Sequence, residues 1–187
     1  MHDELRQLLK IAGAALEAED QFLRKAIASN PVAYHNEKAG ILRFNNEHYY
    51  QFVVARALVS SLRFAASIEV TSNDLVLKDP NSLNRFAVVE MKRWMSPTHE
   101  RELAHIHYDV GRLRSASDAE HAFMLVFSAN SDDTTETHIG WLADELKYPA
   151  IKDLEARHCF RTFDMNGDEV EFWVTGWEID RTSIASG

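Results

Sequence analysis

Three residues, Asp74, Glu90 and Lys92, have the types and the spacing to bind a divalent cation and to activate water. Glu90 and Lys92 close the run from Phe86 to Trp94, FAVVEMKRW, which otherwise reads as a half or fully buried β-strand. Burial penalises a carboxylate or an ammonium unless it is paired or used. Two residues apart, they share one face of a strand. The turn signal KDPNSLN precedes them, and a hairpin centred near Ser82 pairs Leu77 with Ala87 and sets Asp74 opposite Glu90. Two close carboxylates repel, and each favours its protonated form unless a cation lies between them. An oxygen-ligand site of this kind suits Mg2+, which keeps several waters and accepts one or two carboxylates plus a phosphate oxygen. The Asp74 and Glu90 carboxylates are therefore expected within one metal's coordination reach, with Lys92 on the same face.

Glu-x-Lys alone carries little information, since it arises by chance about once in a chain of this size. Glu145 and Lys147 repeat it, but in a helical pattern, where residues two apart do not face each other. The strand setting and the cross-strand Asp74 distinguish Glu90 and Lys92.

The elements that must position these groups follow from periodicity. Leu5, Leu8, Leu9, Ala12, Leu16, Leu23 and Ile27 recur at helical spacing from Asp3 to about Ser29, and Ser29-Asn30-Pro31 ends the pattern. This N-terminal helical arm is expected to pack on the flank of the core or against a second copy in a homodimer. A second helix begins near Asn45, with Phe52, Val53, Leu58, Val59 and Leu62 on its buried side. FAASIEV, DLVL and FAVVEMKRW then form an antiparallel meander. Ser96 offers an N-cap with Pro97 at the first helical position, and Leu103, Ile106, Val110 and Leu113 make one buried stripe. HAFMLVFSAN is a continuous apolar run, expected as a central strand covered on both faces. TTETHIGWLADELKYP reads as a helix stopped by Pro149, and Asn166-Gly167 turns a C-terminal hairpin that begins near Cys159.

Composition sets the outer bounds. The 187 residues, 45% hydrophobic with 7 Gly and 4 Pro, suffice for one globular domain, and no linker or repeat divides them. With 20 Lys and Arg against 29 Asp and Glu the net charge is −9, so a polyanion must be met by a local basic patch, which argues against a non-specific nucleic-acid coater. Cys159 is the only cysteine, which excludes an intramolecular disulfide and a cysteine-rich zinc site. The charged, helically periodic opening lacks a signal-type apolar segment, and a soluble, cytoplasmic protein with no membrane partner is expected.

NDLVL followed by VVEMKRW, with the helix RELAHIHYDVGRL after it, resembles the PD-(D/E)XK phosphodiesterase superfamily, the restriction-endonuclease-like fold. The resemblance spans residues 45–129. It implies an α/β fold, an αβββαβ core with a mixed central sheet flanked by helices. The arm (1–44) would precede this core, and a helix and hairpin (130–187) would follow it, in one nuclease-like domain. It further implies a Mg2+-dependent nuclease, with Mn2+ able to substitute, acting on nucleic acid, DNA before RNA. Asp74 and Glu90 would be metal ligands with the carbonyl of Met91, Lys92 would place or activate the attacking water, and Glu47 would face the metal or its waters. Asn73 stands where the family motif has Pro. A non-catalytic regulatory or assembly module on the same fold is the alternative.

Other residues are weaker candidates. Glu102, His105, Asp109 and Arg112 form a polar stripe, expected as a solvated face of i,i+3 and i,i+4 pairs, although the resemblance places His105 or Asp109 near a phosphate or water. Arg93, Arg101, Arg56 and Lys78 are the cations nearest in sequence that could meet backbone phosphates. Asp79 belongs to the hairpin turn, His105-x-His107 cannot chelate from one helix face, and Trp141, Trp173 and Trp177 are expected in the core or an interface.

Overall fold

The computed structural model describes residues 2–34, 38–44, 46–61, 65–70, 73–82, 84–94, 100–130, 135–147 and 151–181. Its helices are α1 (His2–Ser29), α2 (Glu47–Ser60), α3 (Glu100–Ser115) and α4 (Thr135–Lys147), with a short 3-10 helix at Ile41–Phe44. The strands are β1 (Ala65–Val70), β2 (Asn73–Lys78), β3 (Arg85–Arg93), β4 (His121–Asn130), β5 (Ile151–Phe163) and β6 (Glu169–Ile179). They form one mixed six-stranded sheet in the order β1-β2-β3-β4-β6-β5, with β3 and β4 parallel and every other pair antiparallel. The class is α/β. The run from α2 to β4 has the expected order of helix, three strands, helix and strand, and the meander register pairs Leu77 with Ala87 as the turn position requires.

The two faces of the sheet follow from the strand period of two. Leu75, Leu77, Val89, Met91, Phe123, Leu125 and Phe127 point toward α1 and α2. Val76, Val88, Ala122, Met124 and Val126 point toward α3 and α4, where they meet Ile106, Val110, Leu113, Ile139 and Leu142. From His121 to Ala129 every residue of β4 is buried, as a strand with neighbours on both edges and helices on both faces must be. The C-terminal hairpin is no appendage, because β6 inserts between β4 and β5 and completes the sheet. Gly167 closes its turn at φ 83°, a conformation that favours glycine.

The N-terminal arm belongs to the core. Each residue of its predicted stripe, from Leu5 to Ile27, is buried, and α1 lies on α2, β5 and β6. The arm packs on the flank of the core, as one of its two expectations had it. Close approach is possible because Gly13 has no side chain where the His158 ring passes, and His158 Nε2 pairs with Glu17 at 2.9 Å. Buried Asp20 fastens the far half, accepting from the Ile41 N–H at 2.8 Å and from the Thr162 hydroxyl.

The buried side of α2 differs from expectation. Tyr50, Gln51, Val53, Val54, Ala55 and Leu58 are buried, whereas Phe52 and Val59 face solvent. The helix packs beside α1 on one face of the sheet, so Val53 and Leu58 are covered as expected, but the covered surface extends toward α1 and leaves Phe52 and Val59 outside it. Asn46, rather than Asn45, caps it by accepting from the His48 N–H at 2.9 Å; Asn45, Leu62, Ser96, Pro97 and Pro149 lie outside the described residues. Trp177 is fully buried, Trp141 stacks on buried Trp94 at 6.0 Å, and Trp173 lies beneath Arg157, all in packing positions. No helix among the described residues is long and apolar enough to cross a membrane.

Because α1 is part of the core, Leu16→Ala should cost about 2–5 kcal/mol in chemical denaturation. A chain beginning at Pro31 should lose its cooperative unfolding transition. Wild-type stability in that truncation would show that α1 is dispensable.

Candidate active site

The meander brings the predicted residues together where its ladder ends. Leu75 pairs with Val89, the last β2–β3 partners, and one further step sets Asp74 across from Glu90. Beyond that point the Met91 N–H donates to Asp74 Oδ2 at 2.7 Å, so a side chain takes the place of a strand carbonyl. The N–H and C=O of a strand residue leave on the same side, and the Met91 carbonyl therefore also faces this gap. It accepts from Gln51 Nε2 at 3.3 Å, and Gln51 Oε1 in turn meets His48 Nδ1 at 3.1 Å. Gln51 lies one helical turn after Glu47, a signal present in the sequence but not distinctive.

Glu90 is fully buried. One carboxylate oxygen accepts from the Arg112 guanidinium, while Oε2 is buried without a hydrogen-bond partner. Burial first, and the nearby Asp74 charge second, push the Glu90 carboxyl up to about 8, against an ordinary 4.5, despite Arg112. Burial also raises Asp74 above its usual value, opposed by the Met91 hydrogen bond and the Lys92 charge. At neutral pH the protonated Glu90 can donate to the Asp74 carboxylate.

Lys92 shares this face and is held from two sides. Its Nζ lies 3.0 Å from Glu47 Oε1 on α2 and 3.2 Å from Asp109 Oδ2 on α3. Burial pulls the ammonium down, but the charges of Glu47, Asp109 and Asp74 outweigh it, and the group stands above its ordinary value. The second oxygen of Glu47 accepts from the Arg93 N–H at 3.0 Å. A first-turn carboxylate on α2 thus clamps the end of β3, a position the helix dipole also favours.

The polar stripe of α3 is not the solvated face its pattern suggested. Asp109 is buried between Lys92 and Arg112, Arg112 reaches Glu90, and Glu102 pairs with Arg93 at 3.0 Å. The apolar stripe of Ile106, Val110 and Leu113 turns the adjoining polar stripe toward β3. His105 is exposed and, with Asn46, Glu47, Lys92, Arg93 and Glu102, lines an open cleft of about 370 Å3. Arg56 and Lys78 do not reach it. Arg56 is nine residues along α2 from Glu47, roughly 13 Å, and pairs with Glu19. Lys78 is at the opposite end of β2, about 13 Å from Asp74. Arg101 lies exposed in the first turn of α3, and Asp79 is spent in its turn on the N–H groups of Asn81 and Ser82.

A divalent cation fits this donor set on two grounds. Among the described residues, Glu47, Asp74, Glu90 and Asp109 are set against Lys92 and Arg112, four acids less two bases, which leaves two negative charges when all are ionised. The buried Glu90 Oε2 lacks a donor, and Asp74 and the Met91 carbonyl face the same gap. Among the described residues no three His, Cys, Asp or Glu side chains group around one point to hold a metal by themselves. Two carboxylates and a carbonyl, with water in the other positions, is the kind of set Mg2+ accepts. No family model, curated protein or solved structure matches the chain.

The Glu90 environment predicts a pH-dependent stability. With a folded-state pKa of about 8 above the ordinary 4.5, its contribution is fully present below pH 4.5 and is lost as the pH rises through about 8. In EDTA, Glu90→Gln should therefore melt above the wild type at pH 9, and the gain should shrink toward pH 5. Thermal melts across that range test this; a variant less stable at pH 9 than at pH 5, relative to wild type, would contradict it.

Proposed function

We propose that the chain is a Mg2+-dependent nuclease of the PD-(D/E)XK type, which hydrolyses phosphodiester bonds of nucleic acid, DNA before RNA. The observation that carries this reading is the fully buried Glu90 carboxyl beside Asp74, at the parting of β2 and β3, with Lys92 fixed on the same face. Asp74, Glu90 and the carbonyl of Met91 hold Mg2+, or Mn2+ in its place. The bound metal supplies a water of lowered pKa and balances charge at the phosphate.

The protein's own groups supply placement. Glu47 and Asp109 grip the Lys92 ammonium from opposite sides, so its charge is oriented before substrate arrives. From there Lys92 places or activates the attacking water and offsets negative charge as it develops. Gln51 fixes the Met91 carbonyl. Arg93, in the cleft wall, is the cation positioned to meet a backbone phosphate. Arg112 donates to one oxygen of Glu90 and fixes that carboxyl beside Asp74.

The same Arg112 contact favours a second reading, a non-catalytic regulatory or assembly module. A guanidinium on Glu90 and an ammonium between Glu47 and Asp109 already pair much of the cluster without a divalent ion.

Metal titration and cleavage together separate the two. Calorimetry with Mg2+ and Mn2+ should give binding to wild type and to Lys92→Ala, and none to Asp74→Ala. Removal of an ammonium leaves cation affinity the same or stronger. On labelled duplex, single-stranded and branched DNA and RNA at low salt, Lys92→Ala should lose at least about 100-fold in cleavage rate. Cleavage unchanged in Asp74→Ala would trace the activity to another enzyme, and a wild type inert on every substrate would leave the module reading.

A further inference from the structure

Two further clefts continue from the candidate active site. The first shares Asn46 with it and is lined by Leu42, Arg43, Phe44, Tyr49 and Met165, with a volume of about 520 Å3. The second lies next along both segments, at Ala39 and Phe163, has a volume of about 470 Å3, and is walled by Gln21, Arg24, Lys25 and Lys38. The three follow one another from the cleft beside Glu47 and Lys92 to the far half of α1.

Their chemistry changes along the way. The outermost cleft has three cations and no carboxylate in its wall, in a chain with 29 acidic and 20 basic residues. Arg24 lies over the Phe163 ring at 4.6 Å, with Asp20 at 3.7 Å behind it. Lys25 and Lys38 are exposed and make no ion pair among the described residues. Asp164, in the neighbouring turn, is spent on the N–H groups of Asn166 and Asp168. In the middle cleft Phe44 is 42% exposed, 5.3 Å from the Tyr49 ring, and Arg43 covers Tyr34 at 5.2 Å. Cations interleaved with exposed rings suit a strand whose phosphates need neutralising and whose bases have free faces to stack. A duplex keeps those faces covered.

We infer that these clefts form one track for single-stranded nucleic acid, in which Lys25, Lys38 and Arg24 hold phosphates remote from the scissile bond and Phe44 stacks a base between them and the metal site. The direction of the track rests on the nuclease reading; the binding does not. An unpaired strand is thus the substrate class the surface favours, and remote phosphate contacts supply binding energy to place the reacting one.

Fluorescence anisotropy in EDTA tests the track apart from catalysis. The probes are labelled oligodeoxyuridylate and oligouridylate of about 16 nucleotides, a length within known single-strand site sizes, and a blunt DNA duplex of the same length. The proteins are wild type, Lys25→Glu with Lys38→Glu, Phe44→Ala, and Lys10→Glu as an exposed α1 control outside the clefts. Wild type should bind a single strand more tightly than the duplex. The double variant should lose at least about tenfold, and its slope of log K against log salt should fall by about 1.4, two phosphates at about 0.7 each. Phe44→Ala should weaken binding by about tenfold with the slope kept, since base stacking is not a counterion effect. Lys10→Glu should match wild type. Oligodeoxyuridylate beside oligouridylate, which differ only in the 2′-hydroxyl, identifies the sugar the track accepts. Unchanged affinity and slope in the double variant, or a duplex bound as tightly as the single strands, would overturn the track. Binding as expected with no metal-dependent cleavage would overturn the nuclease reading and leave the track standing.

Discussion

Glu90 has its carboxyl sealed inside the protein next to a second acid, Asp74, and withdrawing such groups from water costs several kcal/mol each unless their charge is balanced. Their surroundings are arranged around that cost. Arg112 crosses from α3 to one oxygen of Glu90, Met91 donates its backbone N–H to Asp74, and Lys92 extends between Glu47 and Asp109. The Met91 bond belongs to the meander, but the Arg112 contact needs α3 at this end of β3, and the two Lys92 contacts need α2 and α3 there together. The sheet therefore has to hold two helices in place from opposite faces.

The parallel step from β3 to β4 does part of this. Parallel neighbours need a crossover, and here the crossover is α3, which packs on β3 and β4 through Ile106, Val110 and Leu113. On the other face α1 covers α2 and β6, so α2 cannot tilt away and Glu47 stays over the end of β3. Apolar burial in both layers offsets the unfavourable carboxylate pair. Local instability is concentrated where a cation would relieve it, a pattern typical of functional sites.

Much of this could be read from residue order alone, where a single element determined the outcome. The α1 stripe, the hairpin register and the buried run of β4 each follow from one period and one turn. What escaped notice depends on two elements at once. The covered side of α2 is chosen by α1 as much as by the sheet, which leaves Phe52 and Val59 in solvent. The α3 polar stripe has the pattern of a solvated face, and only the position of β3 makes Asp109 and Arg112 part of a buried network. Gln51 acts through one amide on a backbone carbonyl, and its spacing of one turn after Glu47 is too common to single it out. The first half of β5, IKDLEARH, is too charged to read as a strand, and a sheet edge tolerates such charge.

Among the described residues, the strand that comes last in sequence is not at the edge of the sheet. β6 lies inside, between β4 and β5, so during synthesis β4 keeps a bare edge until residue 179 has been made. Every side chain of the carboxylate network is translated by residue 112, far earlier. A chain interrupted on the ribosome would thus hold all the chemical groups but lack the closed sheet that keeps them in register. Such fragments expose hydrogen-bonding edges, the surfaces that aggregate or attract chaperones, and would be cleared as misfolded protein rather than persist.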